Sequence, residues 1–253
     1  MSKSVSISGV VITFNEEQNI ERCLSSFKDI VDEIIVVDSN STDATVAIAR
    51  SIGAKVVNQN FLGHIEQKNF AASLATQDVI LSLDADEVLS PELKESIVQI
   101  KNNFVADGYK FNRLTNYAGH WVRHGGWYPD TKLRLWKAGS GSWQGQNPHD
   151  EFRLSEGKPV KLKGDLLHYS IDSVEEHKKV IEKFSSIAAK AMYSKSKKGY
   201  WYKQYFNPFV KFIKYFFLKL GFLDGRTGFI VAWYSSYATY LKYNKLGKLY
   251  AEN

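Results

Sequence analysis

Aliphatic runs at Ser6 to Thr13, Glu33 to Val37 and Val79 to Leu83 each stop on acids or amides, with helix-length segments between them and a shorter run at Lys55 to Val57. Short β-branched runs of this kind suit strands buried on both faces of a parallel sheet. Strand and helix alternating through brief connections predict an α/β fold with helices on both faces. The polar residues that follow the runs then gather at one edge: Asn15 and Glu16, then Asp38, then Asp84, Asp86 and Glu87. In open α/β sheets that carboxyl edge is where ligands bind.

The last acidic group is the most demanding. If the chain stays extended beyond Leu83, Asp84 and Asp86 point to the same side. Neighbouring carboxylates repel, and a hard divalent cation carrying phosphate oxygens resolves the repulsion. A mere capping role is already filled, because Ser90-Pro91-Glu92 supplies the cap serine, the first-turn proline and an early acid for the next helix. Ser41 or Thr42 is expected to cap a helix over Ala44 to Ser51, with Asp43 in its first turn. Asp38 either accepts hydrogen bonds from a base or ribose or is an ordinary turn residue. Neither a Gly-x-Gly-x-x-Gly nor a Gly-Lys-Ser/Thr segment is present, so a dinucleotide site or a P-loop is not supported.

Further along, Gly119 to Asp130 is too glycine-rich for a regular element and too aromatic for an idle loop, and Trp127 and Tyr128 are suited to stacking on an acceptor sugar. His120 and His124 are four apart, but the surrounding glycines argue against the helix that a zinc pair needs. Arg134, between two leucines of a strand over Thr131 to Trp136, either points into the site or snorkels. Asp150 and Glu151 form a second acidic group, and Ser173-Val174-Glu175-Glu176 reads as a capping box opening a helix through about Lys195.

Val11-Ile12-Thr13-Phe14-Asn15-Glu16-Glu17, Val36-Val37-Asp38-Ser39-Asn40-Ser41-Thr42-Asp43 and Leu83-Asp84-Ala85-Asp86-Glu87 resemble, in order and spacing, three successive signatures of glycosyltransferase family 2. The resemblance implies the GT-A fold, Rossmann-like, with a mostly parallel sheet flanked by helices, a UDP-sugar donor and Mn2+ or Mg2+. It places Thr13, Asn15 and Glu16 along the nucleotide, Asp38 at the uracil, Asp84 near the ribose and Asp86 on the metal. Gln67-Lys68-Asn69 matches a further family segment, which implies that Lys68 faces the diphosphate or the base. An acid after the metal motif serves the family as general base; Pro148-His149-Asp150 stands where Val-His-Glu is common, which leaves Asp150 or Glu151, with Asp150 favoured. His168, in Leu166-Leu167-His168-Tyr169-Ser170, matches a station that can complete the metal or diphosphate site. The Gly-Trp-Tyr-Pro-Asp, His-Tyr-Ser and Gly221-Phe222-Leu223-Asp224-Gly225 segments are similar to lipopolysaccharide core β-glucosyltransferase-like proteins. That branch implies transfer of a hexose, with inversion, to a lipid-linked glycan.

Charge divides the chain. Residues 1–100 carry a balance of −8 and residues 101–253 one of +14, so the two parts face different partners. Residues 200–253 hold 18 of the 35 aromatics, while 178–253 hold 15 basic residues against 3 acidic. Asn207 to Leu220 predicts an amphipathic helix. Thr227 to Leu241 is uncharged but, at 15 residues, short of the roughly 20 that span a bilayer. Lysine with tyrosine and tryptophan predicts contact with an anionic membrane surface. Only one arginine falls there, which argues against nucleic acid. A GT-A domain over 1–172 and a basic, aromatic helical extension over 173–253 are therefore expected. One cysteine, Cys23, excludes an internal disulfide and fits a reducing compartment, and Met1 to Ser8 lacks a secretory pattern, so a cytoplasmic enzyme peripheral to the inner membrane is expected. The rivals are transfer to another polysaccharide or polyprenyl-linked acceptor, a sugar nucleotidyltransferase, for which the acidic Phe14-Asn15-Glu16-Glu17 is ill suited, and a membrane-surface binding module, which leaves the first-half acids without a role.

Overall fold

The computed structural model describes residues 4–146, 149–196 and 201–251. Asn147 and Pro148 of the second acidic motif lie outside the described residues. The chain divides into two compact units, Met1–Arg113 with Asp130–Tyr169, and Leu114–Pro129 with Ser170–Asn253. The aromatic loop, which the sequence groups with the first domain, thus clusters with the C-terminal helices.

The first unit runs β1 (Ile7–Thr13), α1 (Ile20–Phe27), β2 (Glu33–Asp38), α2 (Thr45–Ser51), β3 (Lys55–Asn58), α3 (His64–Ser73), β4 (Val79–Asp84), β5 (Glu87–Leu89), α4 (Pro91–Lys101) and β6 (Gly108–Tyr117), the last entering the second unit at Leu114. After β7 (His120–Trp121) in the second unit, it resumes with β8 (Asp130–Lys137), β9 (Gly141–Gln146), β10 (His149–Leu154) and β11 (Val160–Ile171). The strand order is β3-β2-β1-β4-β8-β6-β11-β5. β3, β2, β1 and β4 are mutually parallel, and β8 adds antiparallel to β4. This is a mixed α/β sheet of the GT-A type.

Alternation within the strands fills both faces, because successive side chains point to opposite sides. Val11, Val36, Leu81 and Leu83 pack with Ile20, Cys23, Leu24 and Phe27 of α1 and with Leu93 and Ile97 of α4. Val10, Ile35, Val37 and Ile80 pack with Ala71 of α3 and with Trp136, Trp143 and Phe152. Each such aliphatic side chain contributes about 1.5–3 kcal/mol on burial. Gly9 lets α1 lie close to β1, since a Cβ there would stand 2.6 Å from the Phe27 ring. Cys23 is buried, as its helix face requires.

Local signals were mostly sound, with instructive exceptions. Ser90 Oγ accepts from the Leu93 N–H, with Pro91 opening α4. α2, by contrast, is not capped by Ser41 or Thr42; Asp43 Oδ1 accepts from the Thr45 N–H at 3.0 Å, and Ser41 turns back to Asp38. The polar side chains of Phe14-Asn15-Glu16-Glu17 read as a helix start, but the first helix starts at Ile20, after Asn15 takes a left-handed φ of 54°.

The second unit holds α5 (Val174–Ser194), α6 (Lys203–Ile213), a π-helical turn (Lys214–Leu218), a 3-10 turn (Gly221–Asp224) and α7 (Gly225–Ala251). Ser173 caps α5 by accepting from Glu176 N–H, and the Glu176 carboxylate accepts from the Asp172 N–H. A Cβ on Gly228 would overlap the Gly221 carbonyl oxygen, so only glycine permits this seating of α7 against the 3-10 turn. The amphipathic helix expected over 207–220 is two pieces, α6 and the π-helical turn. α7, 27 residues long, contains the uncharged 227–241 stretch and continues past it among Lys242, Lys245 and Lys248. No helix among the described residues is long and apolar enough to cross a membrane.

Candidate active site

Parallel pairing aligns the ends of the first strands: Thr13 faces Asp38 across β1 and β2, and Ile12 faces Asp84 across β1 and β4. Asp38 is buried, and its carboxylate accepts from Ser41 N–H at 2.8 Å and Ser41 Oγ at 2.5 Å. Asn15 accepts from Thr42 N–H at 2.9 Å and donates its own N–H to Ser41 Oγ. Asn15 and Asp38 together shape the loop after β2. Glu16 accepts from Asn19 at 2.6 Å. Burial, opposed by that bond but reinforced by Asp86 and Asp43, raises its proton affinity. Thr13 Oγ1 and Gln67 Oε1 are buried polar atoms with no hydrogen-bond partner among the described residues. Thr13 ends β1 and Gln67 lies on α3, and a polar ligand would satisfy either atom.

After Leu83 the extended conformation does not persist. β4 ends at Asp84, and Ala85 and Asp86 form a turn, so the two carboxylates separate into different surroundings. Asp84 accepts from Lys68 Nζ at 2.8 Å and from Arg134 at 2.6 Å. Burial works to raise the Asp84 pKa, but Arg134 and Lys68 override it and hold the carboxyl far below the usual range. Arg134 is buried, not snorkelling, and also meets Glu87 at 2.7 Å. Burial disfavours its charge, and Asp84 and Glu87 more than restore it. Glu87 is wholly buried; it accepts from the Asp84 N–H at 3.0 Å and meets Arg113, which bridges on to Asp130 at 2.7 Å. Of the three clustered acids, Glu87 is thus part of the interior lattice and not of the rim.

Lys68 is buried on α3, and its ammonium also reaches Asp150 Oδ2 at 2.8 Å. Asn69 holds the β9–β10 hairpin in place for this, exchanging two hydrogen bonds with the Trp143 backbone. Lys68 and Arg134 both lie over the Trp143 ring, at 4.5 and 5.2 Å from its centroid. Strand alternation separates the two candidate bases. The Asp150 side chain is 10% exposed and sits in this network, whereas Glu151 is 60% exposed and pairs with Arg153.

Asp86 Oδ2 stands 3.1 Å from His168 Nε2. The pairing of β11 with β5 brings them together, with His168 opposite Glu87 and the Tyr169 N–H donating to the Asp86 carbonyl. A carboxylate oxygen and an imidazole nitrogen converging at a partly open position suit a divalent cation that takes its remaining donors from phosphate and water. No preformed set of three protein ligands occurs among the described residues.

Trp127 belongs to the second unit and is packed there. Its indole N–H donates to Ser235, and its ring meets Tyr117 at 5.9 Å and His177 at 5.6 Å, edge to face. Tyr128 is half-buried. His124 is held by Asp224, which accepts from its backbone N–H at 2.8 Å and pairs with Nδ1 at 3.0 Å. The sequence did not single out Arg113, Trp143 or the stacking of Arg22 on Tyr169 at 3.7 Å. An arginine within the alternating strand β6 was the one available signal.

This sheet and rim define an α/β enzyme of the GT-A type. The family profile described as glycosyl transferase family 2 matches residues 8–151, and the chain belongs to that family. An uncharacterized glycosyltransferase of Rickettsia typhi is 34% identical over 96% of this chain and 87% of its own length. The lipopolysaccharide core biosynthesis glycosyltransferase LpsC of Rhizobium meliloti is 26% identical over 96% of this chain and 95% of its own. Among solved structures, glucosyl-3-phosphoglycerate synthase of Mycobacterium tuberculosis, in complex with Mn2+, uridine diphosphate and glucosyl-3-phosphoglycerate, aligns over 44% of each chain at 26% identity with a TM-score of 0.37.

Proposed function

We propose that the chain transfers a hexose, glucose in the first instance, from its UDP derivative to a hydroxyl of a lipid-linked glycan of the lipopolysaccharide inner-core kind, with inversion. The observation that carries the reading is the Lys68 ammonium bridging Asp84, at the donor rim, to Asp150 on the β10 strand. This contact joins the strand end at which the donor is proposed to lie to the residue proposed as base. Likeness to LpsC across nearly the whole chain supports the acceptor class.

In this reading the nucleotide lies along the rim made by Thr13, Asn15, Glu16 and Asp38, with the unpartnered Thr13 hydroxyl offered to it. Asp86 and His168 would hold Mn2+ or Mg2+, which when bound would supply positive charge for the diphosphate leaving group. Asp150 takes the acceptor hydroxyl proton while that oxygen bonds to the anomeric carbon and the bond to UDP breaks on the opposite face. Lys68 fixes the Asp150 carboxylate for this, and Arg134 keeps Asp84 in place. The second unit, with its lysines and aromatics, contacts an anionic membrane surface from the cytoplasmic side.

Replacing Asp150→Asn tests the assignment. UDP binding is retained, and transfer of labelled hexose from UDP-glucose to membrane glycolipid falls by about 10²–10⁴-fold. Glu151→Gln transfers at the parent rate. Parent-rate transfer by the Asp150 variant removes it from the mechanism.

A further inference from the structure

The helix α6 is built inside out. Its exposed positions, Tyr202 at the cap and then Tyr205, Phe206, Phe209 and Val210, follow the i, i+3, i+4, i+7, i+8 spacing of one helical face, and all are aromatic or aliphatic. Its polar residues turn the other way. Asn207 donates to the Tyr243 hydroxyl at 2.9 Å, and Lys211 donates to Thr239 at 3.2 Å, both on α7. Burial lowers the proton affinity of Lys211, which marks how far its ammonium is withdrawn from water. A soluble amphipathic helix does the reverse, covering its apolar stripe and wetting its lysines.

The apolar surface continues beyond α6. Phe217 and Leu218 of the π-helical turn are exposed, Leu218 by 76%. Phe216 links this turn to α7 through Phe229 at 5.8 Å, and Phe229 stacks on Trp233, which is 54% exposed. A patch of this kind is larger than scattered surface hydrophobics account for.

Charge identifies what covers it. Between Trp201 and Ala251 the only acid is Asp224, which is buried against His124, whereas eight lysines and arginines fall in the same stretch. Lys214, Lys219 and Arg226 are exposed beside the aromatic positions. Two copies joined through this face would bring like charges together. Aromatic side chains rimmed by lysines match instead the boundary between acyl chains and anionic headgroups.

We propose that the outward face of α6, the π-helical turn and the Phe229–Trp233 edge of α7 insert in the plane of an anionic lipid bilayer. Phe209, Phe217, Leu218 and Trp233 enter the acyl boundary, and Lys214, Lys219 and Arg226 stay at the phosphates. This deepens the membrane contact proposed above by naming its face, yet it stands on exposure and charge and not on the identity of the transferred sugar.

Sedimentation of the full chain with vesicles of phosphatidylcholine, alone or mixed with phosphatidylglycerol, tests it. The chain binds the mixed vesicles, weakly binds the neutral ones, and is released by salt. The triple substitution Phe209→Ser, Phe217→Ser and Leu218→Ser weakens binding about a hundredfold while leaving UDP binding intact, which shows that the variant is folded. Phe61→Ser with Leu62→Ser, exposed apolar positions of the first unit, binds vesicles as the parent does. Independently, lipids brominated near the headgroup quench tryptophan fluorescence of the parent chain, and Trp233→Phe reduces the quenching. Unchanged binding by the triple variant together with no quenching overturns the proposal. So does a parent dimer that the triple variant converts to monomers without any vesicle binding, which would make the face an interface between copies. Loss of UDP binding by the parent chain, with vesicle binding retained, counts against the transferase reading alone.

Discussion

Lys68 and Asp150, 82 positions apart in sequence, meet at 2.8 Å with both side chains largely withdrawn from solvent. The same ammonium holds Asp84 at 2.8 Å, so one lysine on α3 joins the end of β4 to the β10 strand. Removing one partner of a buried ion pair leaves the others uncompensated. Lys68→Met is therefore expected to lower unfolding free energy by about 3–5 kcal/mol, read by urea denaturation. Lys68→Arg recovers part of it. A Met variant as stable as the parent contradicts the placement of this lysine.

Glu87 presents a related case. It is buried between Arg134 and Arg113 and receives the Asp84 N–H. Glu87→Gln keeps the shape but removes the charge that two guanidiniums share, and is expected to cost about 3 kcal/mol or more. Glu151→Gln, at an exposed surface pair, changes stability by less than about 0.5 kcal/mol. The contrast between two glutamates measured under the same conditions checks which acid belongs to the interior.

His177 gives the second unit a defined acid response. Burial lowers its pKa from 6.5 to about 4, and its Nδ1 lies 3.0 Å from the Tyr117 hydroxyl, as suits a neutral ring accepting from the phenol. The unfolded chain takes up a proton near pH 6.5, whereas the folded chain resists until about pH 4. This stability is therefore present above pH 6.5 and lost as pH falls toward 4, by about 3 kcal/mol in all. His177→Gln removes that part of the pH dependence, and denaturation midpoints at several pH values report it.

Much of the fold was legible because its signals are local. Val79 to Leu83 reads as a buried strand and is one, and Ser90-Pro91 opens α4. The alignment of Thr13, Asp38 and Asp84 at the ends of parallel strands was legible for the same reason, since the strand ends carry these residues in order. What escaped depends on tertiary pairing. Nothing near Lys68 in sequence announces Asp150, and the placement of Glu87 in the interior requires Arg113 and Arg134 from two other strands. The turn at Ala85 and Asp86 replaces the extension read from periodicity, so Asp84 and Asp86 do not share a side, and Asp86 instead lies 3.1 Å from His168 of β11. The contacts of Trp127 with Tyr117, His177 and Ser235 were not legible, because a tryptophan in a glycine-rich loop carries no mark of what packs on it.

Gly228 tests the seating of α7. Adding a methyl group there meets the backbone carbonyl of Gly221, which no rotamer change relieves. Gly228→Ala is expected to destabilise the chain by about 1–3 kcal/mol, although alanine is the better helix former. Gly247, with open space around its Cβ position on the same helix, is expected to be stabilised by about 0.5–1 kcal/mol on the same substitution. Thermal midpoints of the two variants moving in opposite directions verify the packing.

We propose that Asp86 and His168, brought to 3.1 Å by the pairing of β11 with β5, would hold a divalent cation against a nucleotide diphosphate. Calorimetric titration of UDP into the protein with Mn2+, and again with chelator, tests it most directly. The account predicts binding that requires the metal and weakens at least about tenfold in His168→Ala and more in Asp86→Ala. UDP binding that is indifferent to chelation and to both substitutions contradicts it.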